Sequence, residues 1–350
     1  MNISDLNVLF IGDMSKTARA SLWFEVIKDQ VKTATPISHE RLNDSGEKIV
    51  YRDLLTLARW KLGIPKDIMG INRKVREQVK KQAPDVLWVL KSPMIWPSTL
   101  RYVRKHCPQC KILFYSEDDM FARKNRTRFF DGCIPYFDVI FTTKSYNTHP
   151  EELPRLGARK VIFVDKAYHH LRHRPYPDQE GEAFGAPVCF IGTFEAPRAA
   201  SMLYLAENGI PVRIWGNHWP DAWSDKHPNL TVEGQPLYGE DYSKAICASQ
   251  INLAFLRKAN RDQQTDRTME IPACGAFMLT ERTDEHLRLF EEGKEAEFFR
   301  ANEELLTKVK SYLEQPELCH DIGQAGRQRC LKDGYDMSSR VATMLGNLFD

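Results

Sequence analysis

The sequence lacks an excess of charge of either sign and has no long hydrophobic run. Its 350 residues contain 49 Lys and Arg against 47 Asp and Glu, a net charge of +2. That balance gives no general reason to expect nucleic acid or an anionic membrane as a partner. No stretch approaches the roughly 18 apolar residues of a membrane span. Residues 1–12 lack a basic leader segment, so we interpret them as a first strand rather than a signal peptide. We expect a cytoplasmic protein with no integral membrane segment.

Close pairs of cysteines are also scarce. The eight cysteines are scattered and several lie in apolar runs, as buried free thiols of a reducing compartment do. Cys107 and Cys110 form a C-x-x-C pair, but a structural zinc site would need a second close pair. Recruitment of His106 and Cys133 to a metal is an alternative. The simpler interpretation is an incidental pair at a helix-to-strand turn, and we predict neither a metal nor a cofactor.

The chain contains many short apolar segments typical of strands, and these alternate with helical patterns. In the first half, strands are predicted at residues 7–11, 85–90, 111–115, 138–141 and 161–164, and helices at 15–29, 53–62, 72–82 and 97–106. In the second half, strands are predicted at 188–191, 212–215, 230–232, 251–256 and 276–280, and helices at 302–314, 316–331 and 338–349. Such alternation implies right-handed crossovers and doubly wound parallel sheets.

A change of composition divides these two series. Residues 168–186 are rich in His, Pro, Gly and charge, and we interpret them as a linker. The length suits two domains of ordinary size. We therefore predict an α/β protein with two Rossmann-like domains facing a cleft, at residues 1–175 and 176–335. A C-terminal helix at 336–350 carries an apolar stripe and is predicted to pack back on the first domain. Packing on the second domain is the alternative.

The most informative segment is RDQQTDRTMEIPACGAFMLTERTD at residues 261–284, which reads as a polar loop, a short helix and a buried strand. Helix N-termini beside parallel sheets offer N–H groups and a positive dipole end to nucleotide phosphates. Arg267 and Thr265 at this N-terminus would bind a diphosphate, and Glu270 would accept hydrogen bonds from a ribose. Gly275 ends the helix in a left-handed conformation. The plainer interpretation is that such acids and arginines serve only the helix dipole or the surface.

The order T-x-R-x-x-E-I-P-A-C-G resembles the donor-nucleotide segment of GT-B glycosyltransferases, and it is most similar to their CgeB-like branch, also called the glycosyl transferases group 1 type. The likeness covers most of the second half and is weaker in the first. It implies a GT-B fold, an N-terminal acceptor-binding domain and a C-terminal domain in which Glu270 holds a nucleotide sugar. Many retaining members carry a Glu eight residues before this one. Here that residue is Asp262, so retention or inversion is left open.

Two further residues complete the predicted diphosphate site. Gly192 follows a strand, where phosphate approaches the backbone closely only if no side chain intervenes. Arg198 would join Arg267 in compensating the charge that builds on the leaving diphosphate. No D-x-D motif flanked by an apolar strand occurs in the second half. We therefore predict transfer that does not depend on a metal.

The nucleotide base is predicted to lie against two loops of the second domain. Residues 216–219 contribute Gly216 and Asn217, and residues 238–242 contribute Tyr242. Trp219 or Tyr238 would stack on the base, although simple packing is the alternative for any one aromatic side chain.

Proton transfer from the acceptor is assigned to acids at strand ends of the first domain. Three consecutive acids end at Asp119, and their repulsion would raise pKa values as a general base requires. Asp119 is the first candidate, Asp13 the second, and His169 or His170 a third; a merely solvated loop is the plainer interpretation. Residues 121–130, FARKNRTRFF, form either a surface face or a contact for an anionic acceptor.

These features predict a hexosyltransferase-type glycosyltransferase that moves a sugar from a nucleotide-diphosphate sugar to a carbohydrate, lipid-linked or protein acceptor. No nucleic acid is expected as a partner. A nucleotide-sugar epimerase with the same fold and a catalytically inactive nucleotide-sugar-binding or maturation protein stay open. A dinucleotide oxidoreductase is disfavoured, because neither Gly12 nor Gly192 completes a G-x-G-x-x-G motif. The donor sugar, the base and the acceptor are not specified by the sequence.

Overall fold

The computed structural model describes residues 2–50 and 53–349. The chain divides into two compact units: the first is Met1–Asp165 with Met337–Asp350, and the second is Lys166–Asp336. Each unit contains one six-stranded parallel sheet flanked by helices, which confirms the predicted pair of doubly wound α/β sheets. In the described ranges, no helix combines the length and the hydropathy that crossing a bilayer requires.

The first sheet has the strand order β2-β1-β3-β4-β5-β6. Its strands are β1 (Asn7–Gly12), β2 (Thr33–Ser38), β3 (Val86–Leu90), β4 (Lys111–Ser116), β5 (Val139–Thr142) and β6 (Val161–Phe163). The helices that follow the same part of the chain are α1 (Arg19–Gln30), α2 (Leu54–Lys61), α3 (Ile71–Gln82), α4 (Pro97–His106) and α5 (Arg128–Cys133). The chain moves from β1 to one side and returns to the other side at β3, so the strand order reverses between these two strands.

The second sheet has the order β12-β11-β10-β7-β8-β9, and it reverses between β7 and β10. Its strands are β7 (Ala186–Ile191), β8 (Val212–Trp215), β9 (Leu230–Val232), β10 (Ser249–Ala254), β11 (Met278–Glu281) and β12 (Glu297–Phe299). Its helices are α6 (Asp178–Gly181), α7 (Ala196–Glu207), α8 (Gly239–Cys247), α9 (Asp266–Ala273), α10 (Asp284–Leu289), α11 (Asn302–Leu313) and α12 (Pro316–Lys332). A last helix, α13 (Met337–Phe349), belongs to the first unit.

Several element boundaries differ from those predicted. Strand β2 was not predicted, because it is a half-exposed edge strand that contains Pro36 and so lacks the apolar run of a central strand. Strand β12 was also missed, since three residues carry too little pattern. Helix α1 begins at Arg19 instead of residue 15. The residues before it form a turn in which the Ser15 N–H donates to Asp13 Oδ1 at 2.9 Å.

The segment predicted as a linker packs within the second unit, which begins at Lys166 instead of residue 176. The Tyr168 N–H donates to the carbonyl of Tyr335 at 3.2 Å. Ser243 Oγ donates to the carbonyl of Arg172 at 2.9 Å. The prolines and histidines of residues 168–186 therefore belong to a structured segment of the second unit.

Helix α13 packs against α1 inside the first unit. Its buried side chains recur at helical spacing, as the stripe in the sequence predicts; they are Met337, Val341, Met344, Leu345 and Leu348. Gln30 Nε2 donates to the carbonyl of Ser338 at 3.0 Å, and Lys160 Nζ donates to that of Asn347 at the same distance. The end of the chain is thus part of the core of the first unit.

The packing of α13 generates a test of stability. Leu345 is fully buried, so we expect Leu345→Ala to lower the free energy of unfolding by about 2–5 kcal/mol, the cost of the lost burial plus a cavity. Chemical denaturation followed by circular dichroism measures the change. Leu331→Ala is the control, because Leu331 is 52% exposed and should lose less than about 0.5 kcal/mol. Equal losses in the two variants would contradict the packing described.

Candidate functional site

The candidate site lies at the carboxyl ends of β7 and β10, where the order of the second sheet reverses. In open α/β sheets, this reversal leaves a crevice in which ligands bind. Gly192 follows β7 directly, and its N–H donates to the carbonyl of Trp215 at 2.8 Å. A Cβ on Gly192 would lie 2.7 Å from the Phe190 ring. Only glycine fits there without a shift of the Phe190 ring.

The first turn of α9 is fixed by a buried chain of hydrogen bonds. The Thr265 N–H donates to Thr268 Oγ1 at 2.9 Å, and Thr268 Oγ1 lies 2.9 Å from His286 Nε2. His286 Nδ1 lies 2.6 Å from the carbonyl of Glu281. A carbonyl can only accept, so Nδ1 carries the proton and Nε2 accepts from the Thr268 hydroxyl. Burial lowers the pKa of His286 to about 4, which keeps this neutral form at pH 7.

Residues that were not predicted from the sequence anchor the first turn of α9. Lys166 Nζ lies 2.9 Å from Asp266 Oδ1, and the Lys166 N–H donates to Gln264 Oε1 at the same distance. Gln264 Nε2 in turn donates to Glu285 Oε2 at 2.7 Å. Lys166 is distant in sequence and lies in no recognisable motif, so no sequence signal identifies this anchor.

Glu270 is buried and held in a defined orientation. Its Oε2 accepts a hydrogen bond of 2.6 Å from the Tyr242 hydroxyl, and its Oε1 lies 3.7 Å from His173 Nε2. The rings of His173 and Tyr242 meet edge to face at 5.8 Å. Burial, and then the nearby Glu270, raise the pKa of Tyr242, so its phenol stays a donor. Tyr242, predicted near the base, orients Glu270 in this structure. His173 joins them from residues 168–186, the segment predicted as a linker.

Arg198 and Arg267 converge on one aromatic ring. Their guanidinium carbons lie 5.7 and 5.6 Å from the centre of the Phe190 ring. Arg198 is 4% exposed and pairs with Glu195 at 2.9 Å, while Arg267 Nη1 donates to the carbonyl of Ile191 at 3.0 Å. Burial, and then the charge of Arg267, lower the pKa of Arg198. Within the described part of the chain, the buried Nε atoms of both arginines have no hydrogen-bond partner. An anion beside Gly192 would supply one.

Gly216 and its neighbours pack tightly against the end of β7. A Cβ on Gly216 would overlap the carbonyl oxygen of Gly192, at 1.8 Å. Trp219 Nε1 donates to that same carbonyl at 3.0 Å, and its ring packs edge to face on Phe194 at 5.1 Å. Trp219 is therefore a packing residue, as the plainer interpretation held, and its ring is not free to stack on a base.

Asn217 and Tyr238 remain at the surface beside this packing. Asn217 Nδ2 donates to the Tyr238 hydroxyl at 3.0 Å, and Tyr238 is 50% exposed. The carbonyl of Asn217 accepts from the Phe194 N–H at 2.9 Å. Both side chains are exposed, as are His218, Glu240 and Asp241 in the same two segments.

Gly275 lies at the end of α9 opposite to Arg267. Its φ of +76° and its position directly after the last turn fit a left-handed helix end. A Cβ there would lie 2.9 Å from Gln324 Nε2 on α12. Gly275 therefore ends α9 and lets α12 approach, which gives it a structural task.

The acids of the first unit require a correction. Asp119 is wholly buried, and its Oδ1 accepts from the N–H groups of Phe121 and Ala122 and, at 3.0 Å, from Asn147 Nδ2. A carboxylate so enclosed shapes its loop and cannot reach an acceptor hydroxyl in this conformation. The other two acids of the loop each have an ion-pair partner of their own; these pairs are Glu117 with Arg19 and Asp118 with Lys91. Because Glu117 and Asp118 are ion-paired, the geometry does not show the mutual repulsion of three acids that was predicted.

Asp13 is accessible by comparison. It follows β1, its side chain is 26% exposed, and Lys48 Nζ lies 3.9 Å from its Oδ2. Its other oxygen accepts from the Ser15 N–H. Asp13 thus presents a carboxylate at the carboxyl end of β1, where the first sheet reverses its order.

The predicted C-x-x-C pair lies at the turn between α4 and β4. Both thiols are buried, and burial raises the pKa of Cys107 and raises that of Cys110 to about 12. Metals and redox reactions use the thiolate, which such surroundings disfavour. In residues 2–50 and 53–349, no three or more His, Cys, Asp and Glu side chains are grouped so as to hold a metal ion.

The buried histidine of α10 generates a prediction of pH dependence. In the unfolded chain His286 titrates near 6.5, but in the folded chain it does so near 4. Between these values the unfolded state binds more protons, so the free energy of unfolding falls as the pH falls from about 6.5 to about 4. The loss reaches about 3 kcal/mol at roughly 1.4 kcal/mol per pKa unit.

Denaturation of the wild type and of His286→Gln across this range measures the effect, and the difference between the two proteins should change with pH. His320→Gln is the control, because His320 is exposed. A difference that stayed constant from pH 7 to pH 4 would show that His286 is not held neutral.

A family model described as glycosyl transferase-like matches residues 198–346. No match is found among curated protein sequences. Sucrose-phosphate synthase from Thermosynechococcus elongatus has a similar structure, with 11% identity, 98% of each chain covered and a TM-score of 0.68.

Two further structures are similar and carry nucleotide sugars. Anabaena HepE in complex with UDP-glucose has 10% identity over 98% of this chain and 100% of that one, with a TM-score of 0.62. UDP-GlcNAc 2-epimerase from Neisseria meningitidis, bound to UDP-GlcNAc, has 10% identity over 98% of this chain and 99% of that one, with a TM-score of 0.56. At these identities the likeness speaks for the fold alone. The chain has the two-sheet fold of the GT-B glycosyltransferases, as predicted.

Proposed function

We propose that the protein is a glycosyltransferase of the hexosyltransferase type that uses a nucleotide-diphosphate sugar as its donor. The observation that carries this proposal is the convergence of an oriented carboxylate, Glu270, and a pair of arginines, Arg198 and Arg267, at the reversal point of the second sheet. The match to the glycosyl transferase-like family model spans all three residues. The T-x-R-x-x-E-I-P-A-C-G wording supports the CgeB-like branch, and the lack of a spanning helix among the described residues agrees with a cytoplasmic site of action.

Glu270 is assigned to the ribose. A carboxylate accepts hydrogen bonds only, and the two adjacent hydroxyls of a ribose supply two donors. The Tyr242 hydroxyl and His173 fix the plane of this carboxylate before a ligand arrives, which lowers the entropic cost of binding. Because HepE is described with UDP-glucose, UDP-glucose is the first donor to test.

Arg198 and Arg267 are assigned to the diphosphate. Gly192, which follows β7, and Thr265, at the N-terminus of α9, are assigned to it as well. Negative charge grows on the leaving diphosphate during transfer, and prearranged positive groups stabilise it without reorganisation. The unpartnered Nε atoms are donors of the required kind. Two guanidinium groups here perform the task that a divalent cation has in other transferases, so the proposed reaction is independent of metal.

Asp13 is proposed as the group that accepts the proton of the acceptor hydroxyl, should the reaction invert the anomeric configuration. It has the exposure that Asp119 lacks. The acceptor itself is proposed only by class, as a carbohydrate, lipid-linked or protein hydroxyl bound by the first unit.

A nucleotide-sugar epimerase is the second candidate, favoured by the similarity to UDP-GlcNAc 2-epimerase. Turnover of a free nucleotide sugar in the absence of any acceptor distinguishes it from a transferase. Nucleotide binding without transfer, hydrolysis or epimerisation would instead identify a binding or maturation protein.

The ribose assignment predicts the effect of removing one charge. Glu270→Gln keeps the shape of the side chain but weakens the hydrogen bonds to the ribose, so we expect UDP-glucose affinity to fall by about 1–3 kcal/mol. Isothermal titration calorimetry measures it, with thermal unfolding as a check of the fold. Glu291→Gln is the control, because Glu291 has a side chain that is 59% exposed. An unchanged affinity in a folded Glu270 variant would remove Glu270 from the site.

The diphosphate assignment predicts a separation of binding from turnover. Arg198→Lys and Arg267→Lys should lower kcat by roughly 10²-fold, the cost of losing one donor to a developing charge, and should leave uridine affinity nearly unchanged. Initial-rate kinetics and titrations with uridine and UDP measure the two effects. Arg300→Lys, an exposed position, is the control. Equal losses for uridine and UDP, or an activity abolished by EDTA, would contradict a metal-independent arginine site.

A further inference from the structure

Helix α2 and its flanks expose an unusual amount of apolar surface. Of the fourteen large hydrophobic side chains that are exposed in the described chain, eight lie within residues 49–68; they are Ile49, Val50, Leu54, Leu55, Leu57, Trp60, Leu62 and Ile68. Leu54 is 85% exposed and Leu55 is 67% exposed. The helix contains no buried residue. Apolar side chains exposed in this number within one segment indicate a surface that meets a partner.

Residues Leu54–Lys61 form a helix although none of their side chains is buried. The Asp53 carboxylate accepts from the Thr56 N–H at 2.9 Å and from the Thr56 hydroxyl at 2.6 Å, and Arg59 and Lys61 lie in the last turn, as the helix dipole favours. Eight residues are nevertheless too few for a helix that is stable in water by itself. They are also too few to span a bilayer. Within the described residues α2 thus lacks the burial that stabilises most helices of this length.

Basic residues lie directly beside this patch. The Arg128 N–H donates to the carbonyl of Gly63 at 2.8 Å, so the segment after α2 is joined to the loop at residues 121–131. That loop has four basic residues and one acid, and residues 53–68 have three basic residues and two acids. Together they carry a net charge of +4, whereas the whole chain carries +2.

The acids of this region are already engaged. Asp53 caps α2, and Asp67 accepts from the Ile71 N–H at 2.8 Å at the start of α3. Asp131 pairs with Arg123 at 2.7 Å. The region keeps its net positive charge, and its basic residues Lys61 and Arg128 are exposed.

We propose that α2 and the loop at residues 121–131 form a docking surface for a lipid bilayer that contains anionic lipids. Leucine and tryptophan side chains of a helix lying in the plane of the interface enter the boundary between headgroups and acyl chains, while flanking Lys and Arg bind lipid phosphates. An identical copy of the chain is a poor occupant, since two surfaces of charge +4 repel each other. This proposal is independent of the donor site and does not rest on the proposed transferase activity.

Sedimentation of the full chain with vesicles tests the proposal. The protein should bind vesicles of equimolar phosphatidylglycerol and phosphatidylcholine, bind those of pure phosphatidylcholine much more weakly, and dissociate as salt is added. Leu54→Glu with Leu55→Glu should lower the affinity by about tenfold or more through lost apolar insertion. Lys61→Glu with Arg128→Glu should lower it by about tenfold or more through lost attraction to the lipid phosphates.

Matched controls place the same changes on the second unit. Leu331→Glu alters a leucine that is 52% exposed, and Lys310→Glu alters an exposed lysine; both should keep the wild-type affinity. All the altered side chains are exposed, so circular dichroism should show an unchanged fold. Failure of the wild type to bind the anionic vesicles would overturn the proposal, as would equal losses in the controls. A dimer that the two leucine changes dissociate, without vesicle binding, would assign the patch to a second copy instead.

Discussion

The reversal of strand order between β7 and β10 is the constraint on which the candidate site depends. The chain leaves β7 to build one side of the second sheet and returns to β10 to build the other, so connections diverge at their carboxyl ends. Gly192 and Arg198 follow β7, while Arg267 and Glu270 follow β10. Groups separated by about seventy residues in sequence thus meet at one edge, and the sheet supplies the rigidity that holds them.

The meeting of these groups has an energetic cost that the packing must offset. Arg198 is buried beside a second guanidinium, and its lowered pKa reports both burial and that repulsion. Glu270 is also buried, and it is oriented by the Tyr242 hydroxyl. Buried charge of this kind contributes little to stability and is retained where it serves a ligand. The second unit is therefore less stable than it would be with apolar residues at these positions. Binding of an anionic ligand would recover part of this lost stability.

Features formed by neighbouring residues in the sequence were predicted, whereas contacts between residues far apart in the sequence were missed. Central strands and the order from Arg267 to Gly275 are contiguous patterns, and the structure shows them as helix and sheet where they were expected. Strand β2 was missed because an edge strand with a proline lacks a buried pattern. The contact of His173 with Glu270 joins two elements far apart in the chain, which no spacing rule encodes. Asp119 was predicted to accept a proton because it ends a run of three acids, whereas the structure buries it against Asn147. The net charge of the whole chain likewise concealed the local excess beside α2.

The position of α13 has a consequence for how the protein is made. The second unit is inserted between β6 and α13 of the first, and Tyr168 and Asp336, near its two ends, lie side by side as a parallel bridge. On the ribosome, the second unit emerges whole while α1 still lacks the helix that covers it. The apolar face of α1 therefore stays open through the synthesis of the entire insert. The first unit therefore completes its core only once α13 has been made.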